Sequence, residues 1–339
     1  METAELDYEL PPELIAQRPA ERRDDSRLLV YERASGEVRH RRFSDLPDEL
    51  AENELVVVNE SRVIPARLRL DRPGGGQAEV LLLERVGPDG VWEGLAKPSR
   101  RLRPGQQLGP VELLEPLGGG RWLLRLEGEP AGEAPLPPYI TEPLADPERY
   151  QTVYARQEGS AAAPTAGLHF TPELLARLEV ERVTLHVGLD TFRPIETETL
   201  EDHAIHTERY SVESAAWERI RAAERVLAVG TTTVRVLETL SNTVLQGPSD
   251  PSEPPDSAGR SAGPPPSNTV LQGRTGLYIT PGYEFKRVDS LLTNFHLPRS
   301  SLLALVMAFA GVEETRRLYE LAIEERYRFY SFGDAMLVR

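Results

Sequence analysis

The sequence predicts a layered α/β domain with a small antiparallel β-barrel inserted into it. Strands and helices alternate after about residue 150, which is typical of layered α/β proteins. Between about residues 66 and 150, strand-like runs follow each other without a helix, which favours a small all-β barrel or sandwich. The segments on both sides of this region are mixed. We therefore assign residues 1–65 and 151–339 to one α/β domain and residues 66–150 to the inserted barrel.

The N-terminal segment contains short elements of both kinds. Residues 10–17 show a short helical pattern with proline in its first turn, and residues 46–53 are also helical in pattern. Residues 27–43 predict a β-hairpin, because two strand-like runs flank a turn that contains Gly36. The continuous apolar run Leu55–Val58 is typical of a buried strand.

Four strand-like runs separated by turn signals predict the barrel. The runs cover residues 78–86, 91–98, 110–117 and 121–128, and the turns cover residues 73–76, 87–90, 103–106 and 118–120. This spacing of short strands is typical of a small barrel or sandwich. The proline-rich residues 134–147 then end the region, so we expect the barrel to end near residue 150.

The C-terminal part alternates strands with helices. Residues 171–178 predict a helix capped by Thr171, with proline at its first position. Residues 183–189 alternate as a strand, and residues 214–224 are helical in pattern. The buried-strand pattern at 226–230 leads directly into a predicted helix at 231–240, which completes the α/β pattern.

Composition excludes several classes of protein. The formal charge is −15, which argues against holding nucleic acid by bulk charge alone but leaves room for a local basic surface. Cysteine is absent, so disulfides, thiolate metal sites and a cysteine nucleophile are excluded. No signal peptide is visible, and the longest apolar run, at 301–311, is too short to cross a bilayer. We expect a soluble, cytoplasmic protein.

One heptapeptide, SNTVLQG, occurs twice, at 241–247 and 267–273. The 19-residue spacer between the copies contains seven prolines and no large apolar residue, so it cannot form a core. We expect a disordered type of loop over 241–273, lengthened by a local duplication. A linker that binds a partner is the alternative.

The common catalytic signatures are absent. The sequence has no dinucleotide-binding glycine motif, P-loop, zincin motif or nucleophile elbow. His203 and His206 lie about one helical turn apart, a spacing that suits a metal, but no further ligand follows a pattern. A metal-dependent hydrolase that uses these two histidines is therefore only a secondary hypothesis, and we predict no metal site.

Eight dense segments together resemble one family. They cover residues 7–19, 57–68, 164–171, 186–195, 206–210, 229–239, 278–311 and 327–338, and the strongest motifs are PTAGLHFT and TNFHLPRSSLLALV. The chain resembles the S-adenosylmethionine:tRNA ribosyltransferase-isomerases of queuosine biosynthesis nearly from end to end. It departs from the usual family pattern at Asp190, at Glu60–Ser61 and in the length of the loop 241–273. The resemblance implies an α/β/α sandwich with an inserted β-barrel.

The resemblance also implies an unusual reaction. S-adenosylmethionine would donate its ribosyl group to 7-aminomethyl-7-deazaguanine at the wobble position of tRNA, releasing adenine and methionine and forming epoxyqueuosine. S-adenosylmethionine would be a co-substrate, with no bound cofactor, and the partner would be tRNA that already carries the aminomethyl base. We expect a monomer. A noncatalytic tRNA-binding protein is the alternative of another class.

Histidines are the candidate catalytic groups. Proton transfer at the carbon next to the sulfonium needs a base that works near neutral pH, which suits imidazole. Four histidines lie in the family-like segments: His169, His186, His206 and His296. For any one of them, a structural hydrogen bond is the alternative role. Glu208 lies two residues after His206, so both side chains point the same way in an extended segment and could pair, unless they form only a surface ion pair.

Helix starts and charged residues are the candidate substrate-binding groups. Thr231 and Thr232 begin a helix after a strand, and Ser300 and Ser301 begin another, so both starts suit an anion or simple N-capping. Arg193 and Arg235 are the proposed partners of that anion, and Tyr283 is the candidate ring for adenine or the sulfonium. Further candidates from the family-like segments are Thr165, Asp190, Lys286, Asn294 and Asp334. Core packing is the alternative for Tyr283, and a turn role is the alternative for Asp190 and Asp334.

The candidate tRNA-binding residues form a basic run in the predicted barrel. Lys97, Arg100, Arg101 and Arg103 have no acidic residue between them, so they are the first candidates for phosphate contacts. A second cluster near the N-terminus, Arg18 with Arg22 and Arg23, is diluted by acidic neighbours. A solvated surface is the alternative for both clusters.

Deletion of residues 248–266 should leave the thermal unfolding midpoint and the turnover number nearly unchanged, because this spacer cannot form a core. Thermal unfolding and steady-state kinetics of the deletion variant test this prediction. A large loss of either would show that the spacer packs against the protein or binds something.

Overall fold

The computed structural model describes residues 1–87, 89–188, 191, 193–246 and 269–339. Its strands are β1 (Arg27–Glu32), β2 (Glu37–Arg42), β3 (Glu54–Asn59), β4 (Ser61–Val63), β5 (Arg67–Asp71), β6 (Gln77–Arg85), β7 (Val91–Lys97), β8 (Gln107–Leu108), β9 (Val111–Gly118), β10 (Arg121–Leu126), β11 (Gln157–Ser160), β12 (Val180–Leu185), β13 (Glu208–Glu213), β14 (Arg225–Val229), β15 (Val270–Thr275), β16 (Ser290–Asn294) and β17 (Ala335–Val338). Its α-helices are α1 (Leu46–Glu49), α2 (Pro172–Leu175), α3 (Ser214–Ala222), α4 (Thr231–Gln246), α5 (Ser301–Ala310) and α6 (Val312–Glu324).

The larger sheet has nine strands in the order β15-β13-β12-β3-β14-β16-β17-β1-β2. Strands β12, β3, β14 and β16 are parallel neighbours, and β1 is parallel to β17. All six residues of β3 are buried, which explains why its four central residues, Leu55–Val58, are continuously apolar rather than alternating. A central strand of a parallel sheet has both faces covered.

Alternate residues of the central strands enter two different cores. Leu55 and Val57 of β3 join the core formed with helices α3, α4, α5 and α6. Val56 and Val58 join a second core, on the opposite face, with residues of α1 and α2. The predicted α/β/α sandwich is confirmed by these two layers of helices around one sheet.

The smaller sheet forms the inserted barrel-like unit. Its six strands lie in the order β5-β6-β7-β10-β9-β8, and all neighbouring pairs are antiparallel. Trp92 and Trp122 lie in its own apolar core. Strands β4 and β11, one on each side of this unit in the sequence, pair in parallel where the chain enters and leaves it. The domain boundaries at residues 66 and 150 remain a prediction.

Local predictions succeeded where a turn or a cap defined the element. The hairpin is confirmed by six cross-strand pairs from Arg27↔Arg42 to Glu32↔Glu37. The cap of α2 is confirmed, since Thr171 Oγ1 accepts a hydrogen bond from the Leu174 N–H at 3.2 Å. The helix predicted at 10–17 is only a 3-10 turn, Pro12–Leu14.

Other predicted elements have different limits in the structure. The helix predicted over 171–178 is only the single turn α2, and the helix predicted over 46–53 is only α1. The strand predicted at 183–189 begins earlier, at Val180, because parallel pairing with β3 starts there. It ends at Leu185, before the segment that turns toward the barrel.

The two copies of SNTVLQG adopt different secondary structures. Residues 241–246 continue helix α4, whereas residues 270–273 of the second copy lie in strand β15. The loop expected over 241–273 is therefore wrong at both ends, because tertiary context overrides local propensity there. Residues 247–268 lie outside the described part of the chain. Among the described residues, no helix combines the length and apolarity that crossing a membrane requires.

Candidate active site

Two neighbouring clefts lie at the carboxyl edge of the parallel strands. The sheet-edge cleft is lined by Tyr139, Ala163, Pro164, Thr165, Ala166, Val187, Thr191, Gly230, Thr231, Thr232, Thr293, Asn294, Phe295, His296, Leu297, Leu302, Tyr330 and Ser331. The interdomain cleft, between barrel and sheet, is lined by Leu83, Glu84, Glu93, Leu95, Arg121, Gly159, His186, Val187, Gly188, His206, Thr207, Glu208, Arg209 and Arg274. The clefts share Val187. Open α/β sheets bind ligands at this edge, so the position itself indicates a functional site.

A buried carboxylate organises the interdomain cleft. Glu208, at the start of β13, is 3% exposed, and its Oε1 lies 3.1 Å from His206 Nε2. The same oxygen accepts a hydrogen bond from the Gly188 N–H at 2.9 Å, and Arg235 of α4 pairs with Oε2. Burial raises the pKa of the Glu208 carboxyl, but His206, Arg235 and the Gly188 N–H together lower it below its usual value. The predicted pairing of His206 with Glu208 is therefore present, and it is not a surface ion pair.

The ionised carboxylate orients the His206 ring through a close contact. His206 Nε2 lies 3.1 Å from Glu208 Oε1 but outside hydrogen-bond geometry, so the carboxylate acts on the ring through its charge. The His206 side chain is 20% exposed, so the ring is both oriented and accessible from the cleft.

His186 lines the same cleft directly after β12, where its backbone N–H donates to the Arg209 carbonyl oxygen at 3.0 Å. Its pKa is lowered by burial and by the nearby charge of Arg209, while Glu84 acts in the other direction. Its Nδ1 is buried without a hydrogen-bond partner among the described residues. Gly159 makes room for the ring: its φ is +131°, and a Cβ there would lie 3.0 Å from two ring atoms of His186.

The sheet-edge cleft contains one more of the candidate histidines. His296 is buried, its Nε2 lies 2.7 Å from Thr293 Oγ1, and burial lowers its pKa to about 3. Thr231 and Thr232 line the cleft at the start of α4, and Thr232 Oγ1 accepts from Asn59 Nδ2 at 3.3 Å. The structure therefore brings His296, Asn294, Thr165, Thr231 and Thr232 together in this cleft.

His169 lies behind this cleft in a chain of hydrogen bonds that joins Asn294 to Ser26. Asn294 Nδ2 donates to the carbonyl oxygen of Tyr330 at 3.1 Å and lies 3.2 Å from His169 Nε2. His169 Nε2 is thus an acceptor, and its Nδ1–H donates to Ser26 Oγ at 2.7 Å. Burial lowers the His169 pKa to about 4. Both ring nitrogens of His169 thus have partners within the protein, which fits the structural role given above as the alternative to catalysis.

Several candidate substrate-binding residues make hydrogen bonds within the protein. Asp334 accepts from the backbone N–H groups of Arg27 and Arg328, at 3.0 and 2.8 Å. Arg235 is buried, and besides Glu208 it donates to the carbonyl oxygens of Leu277 and Thr275. Ser300 Oγ accepts from the Leu303 N–H at 3.1 Å, which is the N-cap of α5.

The remaining candidates lie at other places. Tyr283 and Lys286 contact helix α4 through Asn242 and Glu238, away from its cleft end. Ser301 is half-buried in the first turn of α5, and Arg193 is exposed. Asp190 lies outside the described residues.

The histidine pair proposed for a metal does not form a metal-binding group. His203 packs its ring against Tyr278, with centroids 5.6 Å apart, while His206 faces Glu208. Within the described ranges, no group of three potential histidine or carboxylate ligands could hold a metal ion. The metal-dependent hydrolase is therefore not supported.

The basic run of the barrel is exposed. Lys97 ends β7, and Arg100 and Arg101 lie in the 3-10 turn Ser99–Arg101 that follows. Arg103 Nη1 donates to the carbonyl oxygens of Arg100 and Leu102. In the second cluster, Arg18 pairs with Glu142, so this cluster is partly used by contacts within the protein.

Three charged residues at the mouth of the interdomain cleft were not among the predicted site residues. Glu84 of β6 contacts Arg209 of β13 at 3.1 Å and Arg274 of β15 at 2.8 Å. Strand pairing brings Arg209 and Arg274 together, and the contact between the two sheets brings Glu84 to them. Arg209 lies inside the family-like segment 206–210, which is the one local signal that pointed to it.

Comparison with known proteins gives consistent results. A family model described as queuosine biosynthesis protein matches residues 3–338. A Rubrobacter xylanophilus protein named S-adenosylmethionine:tRNA ribosyltransferase-isomerase is 52% identical, over 100% of this chain and 98% of its own. A Moorella thermoacetica protein of the same name is 50% identical, with 100% of both chains covered. The crystal structure of an S-adenosylmethionine tRNA ribosyltransferase from Thermotoga maritima is 35% identical, covers 99% of this chain and 100% of its own, and has a TM-score of 0.54.

The buried histidines should make stability depend on pH. A histidine with a lowered pKa in the folded state binds its proton more readily when unfolded, so stability is lost as pH falls below about 6.5. For His169, whose pKa is about 4, this loss is about 1.4 kcal/mol per pH unit, or roughly 2 kcal/mol between pH 7 and 5. Urea unfolding measures the free energy of unfolding at both pH values. The decrease of this free energy from pH 7 to pH 5 should be smaller in His169→Gln than in the wild type by roughly 2 kcal/mol.

The exposed His40, replaced by Gln, is the matched control for the loss of an imidazole. An unchanged pH dependence in His169→Gln would contradict the assignment of His169 as a buried, neutral residue.

Proposed function

Because the chain belongs to the queuosine biosynthesis protein family, we propose that its two clefts together form the active site of an S-adenosylmethionine:tRNA ribosyltransferase-isomerase. The observation that carries the function is the full-length similarity, at 52% and 50% identity, to two proteins of that name. The chain is an enzyme that uses S-adenosylmethionine as co-substrate. The roles of individual residues are inferred from the geometry of the clefts.

The substrate is tRNA whose wobble base already carries an aminomethyl group, as the family resemblance implies. The sulfonium acidifies the adjacent ribose carbon, so a positioned base can remove a proton there. Adenine and methionine leave, and the amine becomes bonded to the ribosyl group. The enzyme must therefore hold two substrates side by side, which suits a site built from two joined clefts.

We assign the role of general base to His206. Its ring lies beside the ionised Glu208 carboxylate, is partly exposed, and lines the cleft between sheet and barrel. His169 and His296 are less suited, because burial holds their pKa values at about 4 and 3 and both are hydrogen-bonded within the protein. His186 faces His206's cleft and is the candidate to assist the leaving group.

The sheet-edge cleft is the proposed site for S-adenosylmethionine. Thr231 and Thr232 begin the 16-residue helix α4, whose first N–H groups and partial positive charge suit the methionine carboxylate. Thr165 and Asn294 line the same cleft and can bind the polar edges of adenine. A donor bound in this way would lie beside Val187, which lines both clefts.

The tRNA is proposed to approach along the barrel. Lys97, Arg100, Arg101 and Arg103 are exposed there, and backbone phosphates are recognised by such side chains. Because its proposed substrate is tRNA, we expect the enzyme to act in the cytoplasm. The monomeric state stays a prediction. The noncatalytic tRNA-binding protein has no observation in its favour.

Incubation with S-adenosylmethionine should release adenine and methionine in equal amounts, only when the tRNA carries the aminomethyl base. Chromatography of the products measures both. Formation of methylated tRNA and S-adenosylhomocysteine instead would contradict the proposed function.

Replacement of His206 by Asn should lower kcat by roughly 100- to 10,000-fold, because a general base is lost. The KM for S-adenosylmethionine should change little, since the donor binds in the neighbouring cleft. Glu208→Gln should lower kcat less, because the imidazole remains but is no longer held by a charge. His203→Asn, which lies outside both clefts, is the matched control. Activity of His206→Asn within twofold of wild type would overturn the assigned base.

A further inference from the structure

Two arginines lie directly opposite each other at the mouth of the interdomain cleft. Arg209 of β13 and Arg274 of β15 are partners in the antiparallel register, so their side chains are on the same face of the sheet. Like charges directly opposite each other destabilise a sheet unless an anion lies between them. The two side chains are 42% and 47% exposed, so the pair remains accessible from solvent.

The anion between them comes from the barrel. One oxygen of Glu84, Oε1, lies 3.1 Å from Arg209 Nε and 2.8 Å from Arg274 Nη1. A single carboxylate oxygen therefore serves two guanidinium groups. Each guanidinium group has five N–H donors, so most of the ten donors of the pair are left for another acceptor.

A β-bulge directs Glu84 toward these arginines. In β6, Leu82 pairs with Gly94 and Glu84 pairs with Glu93, so Leu83 is an extra residue. Without the bulge, Glu84 would follow the alternation of Leu82 into the barrel core. The extra residue moves the carboxylate to the outer face, where it reaches the sheet of the other unit.

Arg274 is also held in place on the other side. Its Nε donates to Thr207 Oγ1 at 3.1 Å, and its Nη2 donates to the Thr207 carbonyl oxygen at 3.2 Å. Thr207 lies between His206 and Glu208, so the arginine pair is attached to the proposed catalytic segment. An anion bound there would lie in the same cleft as His206.

We propose that Arg209 and Arg274 form a binding site for a backbone phosphate of the tRNA, and that Glu84 occupies this site until the RNA replaces it. This inference rests on the proposed function. A phosphodiester carries one negative charge, as the carboxylate does, and offers two oxygens in the geometry that guanidinium groups bind best. The phosphate would place the next nucleotide against His206.

Replacement of Glu84 distinguishes a carboxylate that competes with the phosphate from one that only forms a salt bridge between the two units. If Glu84 competes with the phosphate, Glu84→Gln should bind the substrate tRNA three- to tenfold more tightly at fixed salt. If Glu84 only joins the two units, the same change should weaken binding or leave it unaltered. Glu181→Gln, which removes a carboxylate paired with Arg219 of α3 at the far end of β12, is the matched control and should bind as wild type does.

The arginine variants test the site from the other side. Arg209→Gln and Arg274→Gln should each weaken tRNA binding at least tenfold. The slope of log K against log salt concentration should decrease in magnitude by about 0.7–0.9 for each lost phosphate contact. Arg→Lys variants at both positions retain the charge and should bind with intermediate affinity, which keeps the test valid if a Gln variant does not fold.

The inference would be overturned if Glu84→Gln binds tRNA no more tightly than the wild type, or if the arginine variants bind tRNA as the wild type does. It would also be overturned if the arginine variants lose affinity for S-adenosylmethionine measured without tRNA. The last result would assign the arginines to the methionine carboxylate. Release of adenine by the wild-type enzyme is measured in the same experiment. Its absence would contradict the proposed function, whereas its presence with unaltered variants would contradict only the phosphate site.

Discussion

The carboxylate of Glu208 is buried at the point where three parts of the fold meet. It receives hydrogen bonds or charge from His206 on its own segment, from the Gly188 N–H after β12 and from Arg235 on α4. Burying a carboxylate is unfavourable unless it is paired and hydrogen-bonded, so each of these partners depends on the others. The end of β12, the start of β13 and the face of α4 are thereby held in one arrangement. That arrangement orients the His206 ring, on which the chemistry proposed for the interdomain cleft depends.

The barrel completes the site because it supplies the opposite wall of the cleft. Its strands are short and antiparallel around two buried tryptophans, so the unit has a core of its own. Its charged outer residues then meet the sheet edge, and the bulge at Leu83 determines which of them does so. The carboxyl edge of the sheet supplies helix starts and histidines, and the barrel supplies charge.

Much of the fold follows from local pattern, and part of the site does too. The hairpin at 27–43, the buried strand β3 and the passage from β14 to α4 were predictable from periodicity and turn residues. The pairing of His206 with Glu208 was predictable from their spacing in an extended segment. Arg235 beneath Glu208 and the register of Arg209 with Arg274 depend on long-range pairing, which no local pattern encodes. SNTVLQG shows the same limit, since one copy lies in a helix and the other in a strand. The family-like segments contain both residues that line the clefts and residues that only hold the backbone, such as Asp334, and the sequence does not distinguish the two kinds.

A crystal structure of the protein with S-adenosylmethionine and an anticodon stem-loop tests the central claim most directly. The account predicts the donor in the sheet-edge cleft, with its carboxylate at the start of α4 and its ribose near His206. It also predicts the wobble base between the sheet and the barrel. Density for the donor elsewhere, for example in the surface groove lined by Asp7, Tyr8 and Tyr319, would contradict the claim that the two joined clefts form the active site.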